Sequence, residues 1–251
     1  MYYKQILNQI SCAYKEILKD NLVGIYVHGS IAFGCFNHSK SDIDFLAVTK
    51  STPSQEEKVM LIQILLDLES SSPPKGIEMS VVLERNCLNF TYPTPFELHF
   101  SNSHLEKCGV NLEEYCAVMN GTDKDLAAHF TVIKTVGIAW YGKSIESVFG
   151  DVPKHYYLDS IKNDIENSEN EIRSNPVYII LNLCRVLAFI REDLVISKEQ
   201  GALWGIKNLP HIYNPLIEEA LKSYQFDDDF LTDNKLAERF SRYMTEQIFS
   251  E

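Results

Sequence analysis

The chain has 251 residues, 45% of them apolar and 23% charged, which suffices for a sizeable core in one large domain or two modest ones and does not match the composition of a disordered protein. Its formal charge of −12 at pH 7 speaks against a broad nucleic-acid footprint, which depends on many Lys and Arg contacts to phosphate, and suits a cationic small molecule. The six cysteines form no Cys-x-x-Cys pair, no apolar run reaches about 20 residues, and the N-terminus lacks the charged-then-apolar order of a signal peptide. These features predict free thiols, no membrane role and a cytoplasmic location.

Ile6, Ile10, Ala13, Tyr14, Ile17 and Leu18 recur at three- and four-residue spacing and predict an amphipathic helix over 1–20, closed by Asn21 and Gly24. Gly24–His28 and Ile43–Thr49 are β-rich runs joined by a polar connection that contains Gly29 and Gly34. Residues 54–69 predict a helix that opens at Pro53 and Ser54 and ends before Ser71-Ser72-Pro73-Pro74. Gly76–Leu83 alternates Ile77, Met79 and Val81 with Glu78, Ser80 and Val82, a third strand with a carboxylate on one face. Phe96–Phe100 follows a Pro-rich loop as a fourth strand. A helix over 123–136 and the run Gly137–Gly142 complete a mixed sheet. From Pro153 onward no strand pattern occurs, and helices are predicted near 155–172, 177–191, 198–206, 213–225 and 232–249. The expected organisation is therefore an α/β (α+β) core with a mixed sheet over 1–150 and an all-α helical bundle over 151–251, with the boundary at Gly150-Asp151-Val152-Pro153.

The chemistry lies in His28-Gly29-Ser30-Ile31-Ala32-Phe33-Gly34 and Ser41-Asp42-Ile43-Asp44. A Gly-Ser turn that leaves a strand and opens a helix offers backbone N–H groups and a hydroxyl to phosphate. Asp42 and Asp44 are two residues apart on a strand, so both carboxylates face one side. Paired carboxylates suit Mg²⁺, which takes one or two protein carboxylates together with waters and substrate phosphates. An Asp-x-Asp pair alone is weak, because Asp227-Asp228-Asp229 has the same spacing. That run has no strand or Gly-Ser turn upstream and reads as a solvated loop. Glu78, on the next strand, supplies a third carboxylate able to act as general base, with Glu84 at the strand end as its rival. His28 reads as strand packing, and His99 and His104 have no stronger claim.

Gly29-Ser30 through Asp42-x-Asp44, followed by Glu78, resembles the nucleotidyltransferases related to DNA polymerase β. More narrowly, the chain resembles the aminoglycoside (3'')(9)-adenylyltransferases. Tyr26–Ala32 and Ser41–Asp44 carry the likeness in the first strand pair, and Asp125-Leu126-Ala127 and Tyr141-Gly142 carry it later in the core. Leu181-Asn182-Leu183-Cys184-Arg185, Ser197–Ala202 and Trp204 extend it into the helical part. The resemblance implies Mg²⁺-dependent transfer of AMP from ATP to a hydroxyl of a small cationic antibiotic, with release of pyrophosphate. It implies that Asp42 and Asp44 hold metal, that Glu78 is the base, and that Gly29, Ser30, Ser41, Lys198 and Tyr224 contact ATP. Read without the resemblance, Lys198 is a surface lysine at a helix start. Streptomycin-modifying members share a Trp and an Asp where this chain has Glu166 and Glu171, and the segment from Glu97 to His104 lacks their Trp. Spectinomycin is therefore favoured over streptomycin, with Glu97, Glu166 and Glu171 as candidate partners for acceptor amines. Two alternatives stay open at this level: an adenylyltransferase acting on a protein or other metabolite, and a nucleotide-binding module without antibiotic activity.

Overall fold

The structure, a computed structural model, describes residues 2–226, 229–230 and 234–250. Asp227 and Asp228 of the acidic run, and residues 232–233 of the last predicted helix, lie outside the described residues. The chain divides into two compact units, Met1–Pro153 and Lys154–Glu251.

The first unit contains, in order, α1 (Tyr2–Leu18), β1 (Leu22–Val27), α2 (Gly29–Ala32), β2 (Ile43–Thr49), α3 (Gln55–Asp67), β3 (Ile77–Leu83), α4 (Glu84–Leu88), β4 (Thr94–Phe96), β5 (Leu98–Phe100), α5 (Leu105–Val110), α6 (Leu112–Val118), β6 (Gly121–Asp123), α7 (Leu126–Val136), β7 (Ile138–Gly142) and α8 (Ile145–Val148). Five strands form one sheet in the order β5-β3-β2-β1-β7, and β4 pairs with β6 in a separate ribbon. Only β2 and β3 run parallel; the other neighbours are antiparallel. That parallel pair requires a crossover, and α3 provides it.

Strand alternation sorts the core into two layers. Ile25, Val27, Phe45, Ala47, Ile77, Met79 and Val81 face α1 and α3, packing on Ile6, Ile10, Tyr14, Leu61 and Leu65. Tyr26, Leu46, Val48 and Val82 face the other way, toward Leu126, Phe130 and Ile133 of α7 and Val148 of α8. With both faces covered, all six residues of β1 are buried, as a central strand demands.

The second unit is a bundle of α9 (Lys154–Asn163), α10 (Ser168–Glu171), α11 (Pro176–Glu192), α12 (Lys198–Asn208), α13 (Asn214–Phe226) and α14 (Asn234–Phe249). Ten side chains of α11 are buried, including Ile180, Leu183 and Leu187, which makes it the central helix of the bundle.

The mixed sheet and the helical bundle agree with the sequence reading, with local differences. The predicted fourth strand is two short strands separated by Glu97, and the two belong to different sheets. The predicted helix over 155–172 breaks after Asn163 and resumes at Ser168. Among the described residues, no helix is long and apolar enough to cross a membrane. None of the six cysteines is in a disulfide, and Cys87, Cys108, Cys116 and Cys184 are buried.

Among the described residues, a full capping box occurs in each unit. Ser54 accepts from Glu57 N while Glu57 Oε2 accepts from Ser54 N at 2.7 Å, and Ser197 and Gln200 repeat the pattern at α12. Ser54→Ala and Ser197→Ala are each expected to lower unfolding free energy by about 1 kcal/mol, measured by urea denaturation.

Candidate active site

Asp44 and Glu78 stand directly opposite one another in the parallel register of β2 and β3. On the α7 face these strands read Asp44-Leu46-Val48 and Glu78-Ser80-Val82, so each begins polar and turns apolar where it packs on the helix. Asp42 sits immediately before β2, tied in place by the bond from Ile43 N to Gly76 O at 3.0 Å. Carboxylate oxygens of Asp42, Asp44 and Glu78 all lie within 4.8 Å of one another, and each residue is half-buried. This is the one such group of potential metal ligands among the described residues. Its donors are all oxygen, the chemistry of a hard divalent cation such as Mg²⁺.

Gly29 closes one side of this group. It has φ +60, and a Cβ built on it would overlap the Asp44 carboxylate, lying 2.7 Å from its Cγ. The position therefore excludes any side chain twice over, by backbone conformation and by space. His28 N donates to Asp44 O at 3.0 Å, which ties the end of β1 to the same residue. Ser30 follows Gly29 in the single turn of α2, and its buried hydroxyl has no hydrogen-bond partner within the protein, so it is a donor with capacity for an incoming oxygen.

Ser41 is buried and closes the loop that delivers Asp42: its Oγ accepts from Asn37 N at 3.2 Å and its N donates to Asn37 O at 2.8 Å. In that contact the hydroxyl accepts, which leaves its proton to donate elsewhere.

Histidines border the carboxylates. His28 is 4% exposed, and burial, followed by the nearby His129, holds its pKa well below the ordinary value. Its ring lies against that of His129 with centroids 4.4 Å apart, and His129 Nε2 is 3.9 Å from Glu78 Oε1. His99 Nδ1 is 2.9 Å from Ser80 Oγ; burial, with His104 second and Asp123 opposing, lowers its pKa to about 4. His99 is thus neutral at physiological pH. Tyr115 hydroxyl donates to the His99 carbonyl and lies 3.0 Å from His104 Nδ1. His129 was not singled out by sequence reasoning. Its only signal is a histidine at the edge of the apolar stripe Leu126, Ala127, Phe130 and Ile133, where a helix passes from core to solvent.

The rivalry between Glu78 and Glu84 is decided by position, since Glu84 pairs with Lys143 at 2.5 Å and is absent from the carboxylate group. Glu97 is half-buried between β4 and β5, its N donating to Val81 O at 2.8 Å. The remaining candidates lie in the second unit. Lys198 opens α12 with Nζ 4.5 Å from the centre of the Tyr178 ring, and Tyr178 in turn donates to Asp164 Oδ1 at 2.6 Å. Tyr224 is half-buried in α13. Glu166 follows α9 and Glu171 ends α10, both exposed.

Comparison with known proteins shows what the chain is similar to. Residues 147–247 match the family described as aminoglycoside adenylyltransferase, C-terminal domain. An aminoglycoside (3'') (9) adenylyltransferase of Klebsiella pneumoniae is 23% identical over 249 residues, covering 96% of this chain and 93% of that protein. A spectinomycin 9-adenylyltransferase of Campylobacter jejuni is 22% identical, covering 98% and 95%. A solved spectinomycin adenyltransferase from Enterococcus faecialis, crystallised with ATP and spectinomycin, superposes with a TM-score of 0.81 at 20% identity, covering 98% of this chain and 99% of its own. The resemblance and the fold class read from the sequence are borne out.

Gly29→Ala is expected to push the Asp44 carboxylate out of the group. Mn²⁺ affinity, read from the electron paramagnetic resonance signal of the free ion, should fall about tenfold or more, the size of effect seen when the surroundings of a metal ligand are disturbed.

Proposed function

We propose that this chain, whose residues 147–247 match the aminoglycoside adenylyltransferase C-terminal domain family, is a nucleotidyltransferase that moves AMP from ATP to a hydroxyl of an aminocyclitol antibiotic and releases pyrophosphate. The observation that carries the reading is the convergence of Asp42, Asp44 and Glu78 within 4.8 Å beside the Gly29-Ser30 turn. Asp42 and Asp44 would hold Mg²⁺, and the donor set fits that ion. A divalent ion held there would supply charge neutralisation to the phosphates.

The chain's own groups divide the remaining work. Ser30 and the first-turn N–H groups of α2, which have no intrahelical acceptor, receive phosphate oxygens, and Ser41 adds its hydroxyl proton. Glu78, across from Asp44, accepts the proton of the acceptor hydroxyl as that oxygen attacks the α-phosphorus. Lys198 and Tyr224 stay candidate ATP contacts on the family resemblance alone. A cytoplasmic location follows from the need for MgATP.

Spectinomycin is the favoured acceptor over streptomycin. By the family resemblance, Glu166 and Glu171 stand where streptomycin-modifying relatives carry a Trp and an Asp. Each of them, and Glu97 between β4 and β5, is a candidate partner for a protonated acceptor amine, and an acidic chain of −12 favours approach of a cation.

The test is pyrophosphate release with MgATP over spectinomycin, streptomycin and other aminocyclitols. Spectinomycin is expected to support turnover with kcat/KM about tenfold or more above streptomycin, the discrimination that one lost polar contact to a charged group brings; the absence of release with every acceptor would sink the reading. Asp42→Asn and Asp44→Asn should each lower kcat by about a thousandfold or more, and Glu78→Gln by about a hundredfold to ten-thousandfold, with circular dichroism unchanged.

A further inference from the structure

We propose that His129 is a positioning residue for Glu78, an inference that rests on the assignment of Glu78 as proton acceptor. His129 Nε2 stands 3.9 Å from Glu78 Oε1. That separation is long for a direct hydrogen bond and is closed by a small side-chain adjustment or by one bridging water.

The ring is held from two directions. Its own helix is anchored in the core by Leu126, Ala127, Phe130 and Ile133, all buried, so the backbone at 129 has little freedom to roll. The His28 ring lies against the imidazole face at 33° between planes, and His28 is itself buried at the end of β1. The strand end that precedes the Gly29-Ser30 turn therefore also braces His129.

The Glu78 side chain is 33% exposed, and a glutamate has three rotatable bonds, so a contact that orients its carboxylate narrows the rotamers it samples. An imidazole N–H held toward Oε1 restrains rotation of the carboxylate and leaves Oε2 for the acceptor hydroxyl. The logic is that of an orienting group behind a base, with imidazole and carboxylate in exchanged roles. His129 touches neither phosphate nor acceptor in this scheme; it acts through Glu78 alone.

The experiment compares His129→Ala, His129→Gln and the double variant Glu78→Gln/His129→Ala in the full chain, with thermal melts to establish folding. His129→Ala should lower kcat about tenfold or more while KM for ATP and Mn²⁺ affinity stay near wild type. His129→Gln, which keeps an N–H donor and does not empty the site, should recover much of the loss. The double variant should be no slower than Glu78→Gln alone, because both changes remove one unit. Additive losses, an unchanged kcat in His129→Ala, or equal losses in ATP and Mn²⁺ binding overturn the proposal. Imidazole ¹⁵N resonances provide a readout that needs no turnover. Glu78→Gln should move the His129 nitrogens more than those of His99, and unmoved His129 resonances refute the pairing even if no acceptor is found. Pyrophosphate silence with every acceptor, by contrast, refutes the functional reading and leaves the resonance result to decide the pairing.

Discussion

The close approach of the Asp44 carboxylate to the Cα of Gly29 is the constraint on which the site depends. With φ +60 and no room for a Cβ, the chain leaves β1 by a path that glycine alone takes without strain. The same step places Ser30 at the head of α2 and lets His28 N bond Asp44 O. One backbone contact thus sets the spacing between the phosphate-facing turn and the metal-facing carboxylate. The parallel register of β2 with β3 then fixes Glu78 beside Asp44. Neither relation relies on a flexible side chain, and both are carried by hydrogen-bonded backbone over a sheet covered on two faces.

Much of this was legible because period-two alternation is a strong signal over seven-residue strands. Ile77, Met79 and Val81 on one side and Glu78, Ser80 and Val82 on the other gave the parity that puts Glu78 on the face of Asp44. The conjunction of strand, glycine and paired acids separated Asp42 and Asp44 from the equally spaced Asp227 and Asp229. Helix starts were readable where their chemistry is local, as at Ser54 and at residue 198, and the structure shows a capping box at each. The second unit was readable as helical from periodicity alone, since α11 repeats apolar residues on every side and can lie only in a bundle interior.

What the sequence hid depends on long-range contact. Phe96–Phe100 has the composition of one strand, yet Glu97 divides it, with its N–H given to Val81 O and its two neighbours given to different sheets. No local signal encodes that choice of partners. The break after Asn163 is similar: the 3.6-residue pattern runs through it, while Ile165 and Ile172 are buried by tertiary packing that overrides propensity. His129 was invisible for a different reason. Its meaning comes from Glu78 on β3 and His28 on β1, about 50 and 100 residues away in sequence, and the chain records only a histidine in an otherwise apolar helix.

The electrostatics of the carboxylate group support a functional origin. Two carboxylates about 5 Å apart repel by about 1 kcal/mol in water-like surroundings and about 3 kcal/mol at an effective dielectric of about 20. Three of them held within 4.8 Å in a chain already at −12 therefore oppose folding. Glu84, only six residues after Glu78, is neutralised by Lys143, so the fold does supply counter-charges where a carboxylate serves structure. The trio is instead placed by backbone geometry, with the His129 imidazole 3.9 Å from Glu78. An arrangement that sacrifices stability, excludes a side chain at Gly29 and leaves a buried serine hydroxyl without a protein partner is consistent with a site whose missing interactions come from a divalent ion and a phosphate chain.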